Sequence, residues 1–262
     1  MSDTPEIHNI RESDGSIVTV EEHKSLPSTS ALARKYAEEG KPDRYVVFSE
    51  YCEGQDGARE RGVFMSVLLR PSFFPSQAPL LGCMSAISAV IALEEHTTDK
   101  LGVGWVSDVY CNGVRIGSST IEGKLNSYTA YEYLIITYRI KLGKKNFPPR
   151  LTDLIVEVFQ SGNSSLSMII AKNILSKFFR FYSDLKGSAK YMDPYSSRFI
   201  LRGVKVKYDY QGKKRSCKVL GVDLKTGSLV VDLGGGQTNH RITSPSLVTI
   251  PRKIKIKKDK KA

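Results

Sequence analysis

The sequence predicts an α+β domain over residues 15–195 followed by a small β-barrel over 200–250, and three observations lead there. Segments with strand and helix periodicity are interspersed through the first 195 residues. Composition changes after Asp193-Pro194, and about fifty residues from Gly203 onward then carry five short β-type runs separated by Gln211-Gly212, Thr226-Gly227 and Gly234-Gly235-Gly236. A chain of 262 residues, 40% hydrophobic and 25% charged, is long enough for a large domain and a small one and has an ordinary globular composition.

Residues 1–14 are polar and acidic and are expected to be flexible. Gly15 to Lys24 alternates Ile17, Val18 and Val20 with polar residues, as a strand does. Ser28 or Thr29 then supplies an N-cap for a helix carrying Ala31, Leu32, Ala33, Tyr36 and Ala37. Tyr45 to Phe48 reads as a short buried strand, Glu50 to Gly62 as a Gly-rich charged loop, and Val63 to Leu69 as the next strand. The apolar stretch from Leu80 to about Glu95, interrupted by Gly82, Ser85 and Ser88, reads as a buried helix. Leu101 to Tyr110 and Val114 to Glu122 read as two strands joined at Cys111-Asn112-Gly113, because Asn-Gly tolerates the positive φ of a tight hairpin. Tyr131 to Leu142 is a further strand, Pro148-Pro149 ends it, and helical patterns follow at Leu151 to Phe159 and Ser164 to Leu185.

No stretch reaches the apolar length needed to cross a bilayer, and no apolar run follows a basic start, so a cytoplasmic location is expected. Cys52, Cys83, Cys111 and Cys217 are scattered with no C-x-x-C pair, which argues against a zinc site and against a disulfide framework. His8, His23, His96 and His240 stand beside no obvious nucleophile, so no metal ligands are assigned. The net charge of +12 invites a polyanionic partner. The basic tail, 251–262, holds seven Lys/Arg and one Asp and supplies about half of that excess; the lack of a recognisable reader motif or stacking platform argues against a nucleic-acid partner.

The order of elements and several stretches resemble the biotin protein ligases, across most of the chain. Ser28-Thr29 at a helix start is similar to the family's Ser-Thr-Asn, and Gly62 to Pro71 to the strand after its glycine-arginine loop. Trp105-Val106-Ser107-Asp108-Val109-Tyr110 followed by Asn112-Gly113 is similar to its K-W-P-N-D-L-Y hairpin, and Asn146-Phe147-Pro148-Pro149 falls in order. The resemblance implies a mixed or antiparallel central sheet with flanking helices and an SH3-like C-terminal barrel, which fits biotin ligases better than the related lipoate ligases. It implies ATP-dependent formation of biotinyl-adenylate and transfer of biotin to a carrier-domain lysine of a carboxylase, with biotin, ATP and Mg as cofactors. The residues it would place at the substrate and adenylate are Ser28, Thr29, Gly57, Arg59, Arg61, Trp105, Asp108, Arg115, Gly117 and Ser118, with Arg115 the candidate for a catalytic role.

This sequence departs from the family pattern at the positions that meet phosphate. Gly54 to Gly62 restores the G-R-G-R-R-G loop in neither register, and places Asp56 or Glu60 where an Arg belongs. Cys52 replaces a Gln, Gly104 the Lys of the hairpin motif, Ser107 its Asn, and Gly117-Ser118 an Ala-Gly. Arg115 stands for a second Lys, and a guanidinium is not an ammonium. Thr137-Tyr138-Arg139-Ile140-Lys141 replaces G-x-G-x-N. One lost preorganised phosphate contact costs about 3 kcal/mol, roughly a hundredfold in rate. The expectation is therefore a pseudoenzyme or binding protein on a ligase scaffold; the alternative is an active ligase for biotin or another small carboxylate with a variant phosphate site. Taken singly, Ser28 and Thr29 are also ordinary N-caps, Trp105 an ordinary core residue, and Arg59 and Arg61 ordinary loop charges. Oligomeric state is not legible.

Overall fold

The computed structural model describes residues 4–54, 57–73, 75, 78–142, 166–185 and 187–254. The Asn146 to Pro149 motif, the helical pattern at 151–159, Gln55-Asp56 and the tail beyond Ile254 lie outside those residues. The main sheet has eight strands: β1 (Glu6–Arg11), β2 (Ile17–Leu26), β3 (Tyr45–Glu53), β4 (Arg59–Leu69), β5 (Leu101–Gly104), β6 (Asp108–Cys111), β7 (Val114–Leu125) and β8 (Tyr131–Lys141), in the order β1-β2-β3-β4-β8-β7-β6-β5. The pair β2–β3 is parallel and every other pairing in it is antiparallel, so the sheet is mixed. That parallel pair requires a crossover, which α1 (Thr29–Glu38) provides. Residues 6–11, within the stretch expected to be flexible, form β1, whose Ile10 packs on the core.

Strand alternation divides the side chains between two layers. Val46, Phe48, Val67, Leu69, Leu134 and Ile136 join the large core under α2 (Ala78–Glu94) and α3 (Leu166–Tyr182). Their neighbours Tyr45, Val47, Leu68, Tyr133 and Ile135 face α1 through Ala33 and Ala37. Helix α2 is apolar all round, as a buried helix is, and its Ser85 and Ser88 hydroxyls donate to Gly82 O and Met84 O of the same helix. A fourth helix, α4 (Ala189–Ser197), contains Pro194, the residue at which the composition changes. Burial of Tyr191, Met192 and Tyr195 holds the helix despite the missing donor.

The C-terminal unit is a curled five-stranded antiparallel sheet: β9 (Lys205–Tyr210), β10 (Lys213–Val222), β11 (Leu229–Asp232), β12 (His240–Ile242) and β13 (Val248–Thr249), ordered β12-β11-β10-β9-β13. Its Val206, Cys217, Val219, Leu229 and Val231 continue the large core. Two further local expectations fail. The predicted strand 101–110 is two strands, β5 and β6, which pair with each other after the chain reverses at Trp105 to Ser107. The predicted loop 50–62 is largely a hairpin, in which Tyr51 pairs with Arg61, Cys52 with Glu60 and Glu53 with Arg59. The Asn112-Gly113 turn forms as predicted, with φ of +49° and +78°.

Candidate functional site

The reversal at Trp105 to Ser107 is fixed from outside itself. The Tyr195 hydroxyl lies 2.9 Å from Gly104 O and 3.0 Å from Val106 O, and the Trp105 indole donates to Gly227 O at 2.7 Å. Beside it, the C-terminal segment runs along the β6–β7 hairpin: Tyr110 Oη donates to Pro251 O, Arg115 N to Arg252 O, and Ile254 N to Gly113 O. Between hairpin and segment lies a cleft of about 230 Å³ whose walls include Trp105, Ser107, Asp108, Arg115, Ser118 and Ile250. That is below the roughly 300–1,000 Å³ of ordinary small-molecule pockets.

The charges of this cleft are already matched. Arg115 Nη2 lies 2.8 Å from Asp108 Oδ1. Burial pushes the Asp108 carboxyl up to about 6, against the opposing pull of Arg115. Gly117 has a packing reason to be glycine, since a Cβ there would stand 2.5 Å from the Arg139 carbonyl. Gly104 is likewise enclosed: a Cβ would meet the Tyr110 ring at 2.7 Å, so a lysine in its place would displace that ring.

Ser28 and Thr29 sit on the neighbouring part of the sheet, at the start of α1. Ser28 Oγ accepts from Ala31 N at 3.2 Å and caps the helix. Thr29 Oγ1 is 2.9 Å from Ser66 Oγ, which is 2.9 Å from Thr137 Oγ1, a closed chain of buried hydroxyls. Next along β8, the Arg139 guanidinium lies over the Phe64 ring at 5.2 Å and donates to Glu53 O at 3.0 Å. Glu60 accepts from Lys141 and stands 3.5 Å from Arg139. The Cys52 thiol, raised by burial and opposed by Arg139, borders the Thr29 amide. Thr137 and Arg139, at the two glycine positions of the resembled strand, thus fill this face with side chains.

The β3–β4 hairpin divides the remaining candidates. Alternation along β4 sends Glu60 to the α1 side and Arg59 and Arg61 to the other. Arg61 Nε donates to Glu50 Oε1 at 2.7 Å, and the Arg59 guanidinium lies 4.1 Å from the Tyr51 ring centroid. Gly57, at φ +75°, serves the turn, its N–H donating to Gly54 O. The structure therefore brings Trp105, Asp108, Arg115 and Ser118 together, with Ser118 facing Arg139 across β7–β8. It leaves Arg59 and Arg61 turned away from Ser28 and Thr29. Sequence reading missed Glu50 and Ser66, whose polarity within strands was the available signal, and Tyr195 and Ile250, which arrive only through the fold.

No protein-family model matches the chain. Over 172 residues, 62% of its length, it is 23% identical to the bifunctional ligase/repressor BirA of Bacillus subtilis, and over 169 residues 21% identical to BirA of Bacillus spizizenii. The chain spans about half the length of these curated relatives, 53% and 52%. The biotin protein ligase of Aquifex aeolicus superposes with a TM-score of 0.64 at 19% identity, covering 88% of this chain and 96% of that one. This is a divergent biotin protein ligase-like chain. A biotin protein ligase-like protein of unknown function from Silicibacter also superposes on the ligase-like chain, with a TM-score of 0.62 at 16% identity over 86% of this chain and 94% of that one. The Aquifex ligase in complex with biotin and ATP gives a TM-score of 0.59 at 19% identity, covering 88% and 97%. Among the described residues of the ligase-like chain, no helix is long and apolar enough to cross a membrane.

Proposed function

We propose that this chain keeps the scaffold of the biotin protein ligases while the ATP-dependent adenylation of biotin is weak or lost, and that it acts as a binding protein. One observation carries the reading: Arg61, Arg115, Arg139 and Lys141 are each paired with a carboxylate of the chain itself, namely Glu50, Asp108 and, for the last two, Glu60. A phosphate approaching any of them would have to displace an anion already in place, and Glu60 would repel it. The residues present do not fit a nucleoside triphosphate with its Mg, and Thr137 and Arg139 fill the face where two glycines would leave room for a ligand. No reaction step is therefore assigned to ATP.

A second reading has its own support. Trp105, Asp108 and Tyr110 of the hairpin motif are all present, and Arg115 and Ser118 line a cleft beside them. On that reading the protein is a ligase with a variant phosphate site, using biotin, ATP and Mg and a carrier domain in the cytoplasm. Two measurements divide the readings. Purified protein with biotin and ATP-Mg should release no pyrophosphate above background. A non-hydrolysable biotinyl-adenylate analogue should leave the melting temperature unchanged, whereas a ligand at a hundred times its Kd adds about 2.7 kcal/mol. Pyrophosphate release together with an upward shift would establish the second reading.

A further inference from the structure

We infer that the C-terminal sheet is a docking surface for single-stranded nucleic acid, held through its phosphates; this goes beyond the proposed function and does not depend on it. Residues 203–262 hold 15 Lys/Arg and four Asp/Glu, a net +11, which leaves +1 for the first 202 residues. The contrast in pairing is as sharp. In the main sheet and its helices Arg34, Arg44, Arg61, Arg115, Lys124, Lys141, Lys177 and Arg198 all meet carboxylates. In the C-terminal sheet Arg241 pairs with Asp223, while Lys205, Lys207, Lys214 and Lys218 make no ion pair among the described residues.

The register explains where these lysines stand. Lys205 lies directly opposite Lys218 across β9–β10, Lys207 opposite Ser216, and Lys214 opposite Asp209, so alternation places all four lysines on one exposed face. Like charges directly opposed in a ladder are destabilising, and a polyanion lying over the face removes that repulsion. The face exposes Lys205, Lys207, Lys214, Lys218 and Arg241 against two half-buried carboxylates, Asp209 and Asp232, and carries no exposed apolar side chain. Protein interfaces are depleted in lysine and centred on apolar anchors, so the face suits a polyanion better than a folded partner.

Rings on the reverse side of the same strands select the kind of polyanion. Tyr210 and His240 are half-buried, with centroids 5.6 Å apart, Tyr208 Oη is 3.2 Å from His240 Nε2, and the Arg215 guanidinium lies 5.2 Å from the Tyr210 centroid. Ring faces beside cations offer bases a place to stack, which lipid headgroups do not use. A strand following the lysines round the β9–β10 turn would meet them. The sequence carries no reader motif because nothing here reads bases; what the fold adds is the side of the ladder on which each residue stands.

The test is fluorescence anisotropy of the full chain with labelled 20-nucleotide oligo-U and oligo-dT, beside vesicles containing phosphatidylserine. Four phosphate contacts predict a log–log salt slope of about −3, an affinity loss of about fiftyfold between 50 and 200 mM salt. The double variant Lys207→Glu/Lys218→Glu should bind at least about tenfold more weakly and lower the slope. Lys218→Glu alone should weaken binding while leaving the melting temperature close to that of the wild type, because it then faces Lys205 with opposite charge and Asp232 with like charge. Tyr210→Ala should cost about fivefold or more. No oligonucleotide binding at 50 mM salt, or affinity unchanged in the double variant, overturns the inference. So does binding to vesicles at least as tight as to oligonucleotide with Tyr210→Ala silent.

Discussion

Asp108 shows how a charged residue is held in this fold at a cost. Its carboxyl is raised from 3.8 to about 6 because burial outweighs the attraction of Arg115, so below its unfolded value the folded state pays nothing for it. As pH rises through the folded value the proton is lost, and roughly 3 kcal/mol of stability goes with it, at 1.36 kcal/mol per pKa unit. Urea unfolding of wild type and Asp108→Asn at pH 4 and pH 7 isolates this: the stability of the wild type relative to the variant should fall by about that amount between the two pH values. A constant difference would mean that folding leaves the Asp108 pKa at its unfolded value. Gly104 makes a second residue-scale case. The Gly104→Lys change that would bring back the family lysine meets the Tyr110 ring at 2.7 Å and should cost about 1–3 kcal/mol by denaturant unfolding.

Among the elements, the β3–β4 hairpin decides what the segment that resembles the family's phosphate loop can reach. Its ladder occupies the backbone, and Glu60 holds Lys141 and Arg139 from the α1 side. Glu60→Ala should therefore release both cations for an external anion. Since Arg139 and Lys141 are 38% and 41% exposed, the variant should lose only about 1 kcal/mol or less. Inorganic pyrophosphate should then raise its melting temperature while leaving the wild type unchanged; equal responses would show that Glu60 does not guard the face. The hairpin was hidden in the sequence because its charges and glycines read as a loop, whereas cross-strand partners such as Tyr51 with Arg59 are visible only once the register is known. Asn112-Gly113 and α2 were legible because turn chemistry and an unbroken apolar run are local signals. The turn at Trp105 to Ser107 was not, because Tyr195 holds it from ninety residues away in the chain.

At the scale of the molecule, the two sheets share one core that runs from Val67 and Leu69 to Val219 and Val231, and the only tryptophan joins them by its bond to Gly227. Unfolding followed by Trp105 fluorescence and by far-UV circular dichroism should give coincident transitions, and separated midpoints would show that the C-terminal sheet melts independently. The broad plan was readable from periodicity and from the order of family-like stretches. The internal pairing of charges was not, because partners such as Arg34 and Glu122 lie far apart in sequence. That pairing also sets which substitutions would open the Glu60 face to an anion. Arg139→Gly alone would remove one of the two cations near Glu60, whose Oε2 already lacks a hydrogen-bond partner, and Glu60→Gly alone would leave Arg139 lying over Phe64. Removing Glu60 frees the two cations and removing Arg139 opens the face, so the two changes do different work, and only in the order Glu60 first does each step keep a cation for the incoming anion.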